Sequence, residues 1–65
     1  MTIIQRVDYT EFKERFFEGE YGDQRYGQAF FNTFLEKEDD PDNKIYYGKI
    51  DEVMDLIEAH FVMWD

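Results

Sequence analysis

Three carboxylates near one end of the chain stand at the spacing of successive helical turns: Asp51, Asp55 and Glu58. On a helix their β-carbons lie about 5–6 Å apart, close to the spacing of successive phosphates on one nucleic-acid strand. Such a face can engage a Lys- and Arg-lined channel, with steering that weakens as salt rises. A second concentration of acid, Glu36-Lys37-Glu38-Asp39-Asp40-Pro41-Asp42, invites a calcium reading. Counted from Asp40 as a loop of the EF-hand type, however, the ligand position 5 falls on Lys44, the obligatory Gly of position 6 on Ile45, and position 12 on Asp51. The run therefore reads as a solvated loop, and no metal ligand is assigned.

Other chemistry is poorly supplied. His60, the one histidine, has Leu56 and Val53 as its neighbours on a helical wheel, so it reads as a half-buried boundary residue. No Ser-His-Asp arrangement can be assembled, and no Gly-rich phosphate loop follows a strand. The absence of cysteine excludes a disulfide framework and thiolate zinc. Paired carboxylates abound, but nothing singles out one pair as desolvated enough to act as acid and base. The expectation is a non-enzymatic protein without a cofactor.

The elements that would position these groups must come from a single small domain, residues 1–65. Sixteen acids against seven bases give a net charge of −9. Residues 1–33 hold six acids and four bases, net −2, whereas residues 34–65 hold ten acids and three bases, net −7. Direct binding to nucleic acid is disfavoured, and the charge points to a protein partner with a basic surface. No stretch reaches the roughly 18 apolar residues of a membrane span, and the first residues lack a secretory core, so the expected location is the cytoplasm. The core material is aromatic: seven Phe, five Tyr and Trp64, each able to bury roughly 150–250 Å².

Periodicity predicts an all-α fold, a small three-helix bundle with helices at about 8–18, 23–38 and 49–64 and an irregular connector at 39–48. In the first helix Asp8 and Glu11 resemble a capping box and Val7 with Phe12 a hydrophobic staple; Tyr9, Phe12 and Phe16 make its apolar face, and Gly19 and Gly22 stop it. The second helix is expected to be capped by Asp23 and to carry the stripe Tyr26, Phe30 and Phe34, with Gly27 costing about 1 kcal/mol of propensity. Its acidic end, at the negative pole of the helix, should fray. In the connector, Ile45, Tyr46 and Tyr47 are expected to tuck beneath the helices. The third helix is strongly amphipathic, with Ile50, Val53, Met54, Ile57, Phe61 and Trp64 within about 60° of one another. Thr2 to Val7 is the one segment with clear β potential, without an obvious partner.

On the second helix Arg25, Gln28 and Asn32 form a polar line at i, i+3 and i+7. Either Gln28 and Asn32 pin the connector backbone by hydrogen bonds, or Arg25 and Gln28 face a partner. The stretch Arg25-Tyr26-Gly27-Gln28-Ala29-Phe30-Phe31-Asn32-Thr33-Phe34, the acidic Pro-containing connector, Ile45-Tyr46-Tyr47 and the acidic closing helix together resemble a group of small uncharacterised phage and prophage proteins. Those share an Arg-x-Gly-Gln-x-x-x-Asn stretch, an apolar-aromatic-Tyr step and a closing helix. The resemblance spans roughly residues 25 to 61 and implies a phage origin and a helical fold, without an activity to carry over.

Two readings of function follow. In the first, the protein binds a host protein through an acidic helical surface, as an inhibitor or nucleic-acid mimic, using Asp51, Asp55, Glu58, Glu36, Asp39 and Asp40, with Arg25 and Gln28 as further contacts. In the second, aromatics that fit no core stripe, among them Phe17, Phe31, Tyr21 and Trp64, form an exposed patch. That patch would serve self-association into a homo-oligomer or docking as an accessory structural protein, with Phe31 and Trp64 as its principal contacts.

Overall fold

The first helix starts where the chain leaves a strand, not at a side-chain cap. In the structure, a computed structural model that describes residues 2–64, strand β1 (Ile4–Gln5) runs directly into α1 (Arg6–Phe17). Gln5, extended at φ −66° and ψ 145°, holds the cap position without a side-chain hydrogen bond. Asp8 therefore lies inside the first turn, where its charge suits the positive end of the helix. Val7 turns outward and is 68% exposed, so the expected staple on Phe12 is not made. The C-terminus ends as a Schellman motif: Gly19 N–H donates to Phe16 O at 3.0 Å and Glu20 N–H to Arg15 O at 3.1 Å, with Gly19 at φ +91°.

Helix α2 (Tyr26–Phe34) is shorter than the predicted 23–38 at both ends. Gly22, at φ +64°, and the turn closed by Gln24 N–H on Tyr21 O occupy its expected first residues, and Asp23 caps nothing. At the other end Leu35 and Glu36 are extended. A continued helix would stack Glu36, Glu38, Asp39 and Asp40 against its negative pole; a separate 3₁₀ turn, Lys37–Asp39, forms in its place.

The connector is ordered by its own acid. Asp40 is buried, 5% exposed, and its carboxylate accepts the N–H groups of Ile45 (3.1 Å) and Tyr46 (3.0 Å). Those are first-turn donors of α3 (Lys44–Tyr47), a single α-helical turn entered through Asn43 at φ 57°. Ile45 is buried as expected, while Tyr46 is half-buried and Tyr47 is 64% exposed, the latter having only one turn of helix to turn it inward.

Helix α4 (Ile50–His60) stops before the predicted Trp64. Phe61 caps it, and the chain then extends as β2 (Val62–Met63), parallel to β1 with Ile4 opposite Val62 and Gln5 opposite Met63. Ile4 N–H donates to Phe61 O at 2.7 Å. The segment with β potential thus finds its partner at the far end of the chain, and the pairing buries both Ile4 and Val62. The molecule is mostly helical, but with a fourth short helix and a two-stranded parallel sheet beside the helices at the three expected places.

The stripes meet in one core. Tyr9, Phe12, Tyr26, Phe30, Val53 and Ile57 are each at most 2% exposed, and burial of each large apolar side chain contributes about 1.5–3 kcal/mol. Phe12 sits among the rings, its centroid 5.2 Å from Tyr21, 5.3 Å from Tyr26 and 5.5 Å from Phe30. Ile50, at the expected centre of the α4 stripe, is instead 43% exposed because it opens the helix at the molecule's edge. Gly27 is where α2 and α3 touch: a β-carbon there would fall on the Ile45 carbonyl and 3.1 Å from Val53 Cγ1.

Candidate functional site

The outer face of α4 carries Asp51, Glu52 and Asp55, all exposed. Asp51 accepts the N–H of Glu52 at 3.0 Å, and Asp55 stands one turn further along. Glu58 lies on the same side of the helix but is committed to α1. Its Oε2 accepts the Tyr9 hydroxyl at 2.8 Å and faces Lys13 Nζ at 3.4 Å, and its side chain is 31% exposed. The carboxylate row predicted from spacing is thus free over its first two members and closed by α1 at the third.

Behind Glu58 runs a chain of hydroxyls. Tyr26 donates to Tyr9 at 2.7 Å, and Tyr9 donates to Glu58. Burial, reinforced by the hydrogen bonds with Tyr26 and Glu58, holds the Tyr9 phenol far above its ordinary range. Burial likewise pushes Tyr26 up to about 12, against a lowering contribution from its bond to Tyr9. Both hydroxyls stay protonated throughout the physiological range. Lys13 also stands over the Tyr9 ring, 5.5 Å from its centroid. Tyr9 and Tyr26 read as core from their spacing alone; that a buried phenol needs a partner was the signal for this network.

The acids of the connector divide three ways. Glu36 is exposed. Asp39 accepts the N–H of Glu36 at 2.9 Å and both the hydroxyl and the N–H of Thr2, at 2.7 and 3.1 Å. The Glu36 amide first, and then the Thr2 hydroxyl, hold the Asp39 carboxyl below the usual carboxylate range. Asp40, expected on the acidic surface, is buried because two amides of α3 need its oxygens.

The polar line of α2 fastens the connector, though not as expected. Gln28 Nε2 donates to the Tyr46 hydroxyl at 3.2 Å, to a side chain and not to the backbone. Asn32 Nδ2 turns back to Gln24 Oε1 at 3.2 Å. The backbone carbonyl of Tyr47 instead receives exposed Arg25, through Nη1 at a long 3.5 Å.

Of the aromatics expected to be spare, Phe31 is half-buried with its ring at 86° to Tyr46, 5.5 Å away. Trp64, off the helix, donates its indole N–H to Glu58 O at 2.8 Å and packs edgewise on Tyr9, yet stays 45% exposed. With Phe17, 62% exposed, it flanks a groove of about 360 Å³ that is also lined by Tyr9, Thr10, Lys13 and Glu14. His60, expected at a half-buried boundary, is exposed on the last turn of α4.

No family model matches this chain, and no curated protein or solved structure proved similar to it. Among the described residues, no helix is long and apolar enough to cross a membrane.

Proposed function

We propose that the chain is a non-enzymatic binding protein of phage origin that engages a basic surface of a host protein in the cytoplasm, acting as an inhibitor or nucleic-acid mimic. The observation that carries this reading is the exposed acid of the α4 outer face, which enters no ion pair among the described residues. Among the described residues the ion pairs are Lys13–Glu58 and Arg15–Glu11, which leaves Asp51, Glu52 and Asp55 exposed without a cationic partner on a chain of net −9. Unpaired like charges on one helix are destabilising by a few tenths of a kcal/mol each, a cost that a Lys- or Arg-rich partner would reverse. Glu36 is a further exposed acid on the connector, whereas Asp39, Asp40 and Glu58 support the fold.

The test is charge reversal at Asp51 and Asp55 in an affinity capture from host lysate at low and high salt. Loss of a salt-sensitive partner with unchanged helicity is the expected result. Capture that survives the reversal removes the acidic face from consideration.

A second reading rests on the groove between Phe17 and Trp64, whose exposed rings would suit self-association or docking as an accessory protein. Sedimentation of the wild type beside Trp64→Ser distinguishes it: a monomer at every concentration and salt would exclude a homo-oligomer.

A further inference from the structure

A second groove has the opposite electrostatic character to the rest of the molecule. It opens between the start of α2 and the α3–α4 junction, with a volume of about 580 Å³, and is lined by Phe16, Arg25, Tyr26, Tyr47, Gly48, Lys49 and Ile50. Its two charged lining groups, Arg25 and Lys49, are both cationic, on a chain with only seven Lys and Arg against sixteen acids. The acids nearest these cations in sequence, Asp23, Asp51 and Glu52, are exposed, and none forms an ion pair with Arg25 or Lys49 among the described residues; Glu52 borders an adjoining groove with Lys44 and Leu56 that shares Tyr47 and Gly48.

We propose that this groove binds a small planar phosphate monoester, of the size and chemistry of a mononucleotide. The volume falls within the range of small-molecule sites, which are largely apolar with a few convergent polar groups. The Arg25 guanidinium spends one N–H on a long bond to Tyr47 O and keeps the remainder of its donor fork, which matches phosphate geometry; Lys49 adds a point charge. No hydrogen bond or ion pair within the chain uses the Lys49 ammonium among the described residues. The wall suits a ring: Tyr47 is 64% and Ile50 43% exposed, with half-buried Phe16 beside the buried ring of Tyr26. Tyr46 holds the Tyr47 ring from one side, at 4.8 Å and 67°. A polynucleotide would bring further phosphates against a chain of net −9, so the fitting ligand carries its phosphate on one ring system. The groove is separate from both the α4 outer face and the Phe17–Trp64 groove, and it binds whether or not those surfaces do.

The test titrates AMP, adenosine, inorganic phosphate and O-phosphotyrosine into the ¹⁵N-labelled chain and follows backbone amide shifts. AMP should move the amides of Arg25, Tyr26, Gly48, Lys49 and Ile50 saturably, about tenfold more tightly than adenosine or phosphate alone, because each supplies only half of the recognition. Tighter binding of O-phosphotyrosine than of AMP would assign the same chemistry to a phosphorylated side chain in place of a free nucleotide. Lys49→Gln, at an exposed position without a partner to lose, should weaken AMP by about tenfold, and Arg25→Gln by at least as much, with the circular dichroism spectrum retained. The proposal is overturned if AMP binds no better than adenosine and phosphate, if Lys49→Gln binds it like the wild type, or if the shifts gather elsewhere.

Discussion

The hydroxyl of Tyr26 donates to the hydroxyl of Tyr9 at 2.7 Å in a core where both rings are all but excluded from solvent. Tyr9 in turn donates to Glu58, so it is the middle of a chain from the centre of the molecule to its surface. Tyr9→Phe leaves the Tyr26 hydroxyl without its acceptor and should cost about 1–3 kcal/mol. Tyr26→Phe removes one accepted bond while Tyr9 keeps Glu58, and should cost about 0.5–1.5 kcal/mol. Urea unfolding of the two variants checks the order, and equal losses would mean that the hydroxyls act independently.

The same pair makes the fold sensitive to base. Burial raises both folded-state values, Tyr26 to about 12 and Tyr9 beyond it, whereas an unfolded tyrosine ionises near 10. The folded chain therefore holds protons that the unfolded chain releases. The stabilisation is complete below pH about 10 and declines as pH rises through the folded values. The urea midpoint should fall between pH 9 and 11 by measurement, and less steeply in the double variant Tyr9→Phe/Tyr26→Phe.

At the acid end the sign reverses. The folded carboxyl of Asp39 is held below its ordinary range by the Glu36 amide and by Thr2, so its contribution is present above pH about 4 and is lost as pH falls through the folded value. The stability difference between the wild type and Asp39→Asn should narrow on acidification from neutral pH. A difference that persists unchanged at the lowest pH would show that the Thr2 and Glu36 bonds do not depend on the charge.

Asp40 and Asp42 flank the one proline and behave oppositely. Asp40→Ala orphans the amides of Ile45 and Tyr46, at about 1–3 kcal/mol for each donor left buried. Asp42→Ala, at an exposed position, should stay within about 0.5 kcal/mol of the wild type. Thermal unfolding of both variants, with Asp40→Asn as an intermediate case, separates the structural acid from the solvated one.

Gly27→Ala should be among the most damaging single changes. Its β-carbon would collide with backbone at Ile45, which cannot swing aside as a side chain could, and overpacking of this kind costs about 1–3 kcal/mol or more. Gly19→Ala meets no atom within 4 Å and is penalised only by its φ of +91°, at about 1–2 kcal/mol. A Gly27→Ala chain that unfolds at the wild-type midpoint would show that α2 and α3 can separate without loss.

Periodicity made the central helices legible. Tyr9 and Phe12, Tyr26 and Phe30, and Val53 and Ile57 lie in the core where their spacing put them. Spacing says nothing, however, about which carboxylate in a run turns inward. Asp40 and Asp42 differ only in which can reach two free amides, a matter of backbone path through Asn43. Propensity misjudged Gly27, since its cost within α2 is local while its use lies in the approach of α3. The departure of Trp64 from the helix was hidden for a similar reason: a two-residue parallel pairing joins opposite ends of the chain, and neither Ile4–Gln5 nor Val62–Met63 shows the partner in its own pattern. Glu58 stood in the right row and faced the right side, but Lys13 and Tyr9 reached it first.

That parallel pairing has a mechanical consequence. Because β1 and β2 point the same way, tension applied through the residues before Ile4 and after Met63 pulls the strands along their length in opposite directions. The load falls on the ladder bonds in shear, all at once, where an antiparallel pair would peel open one bond at a time. A clasp of only two residues thus places its strongest geometry across the line of pull, and under tension between the ends it is this clasp that bears the first force.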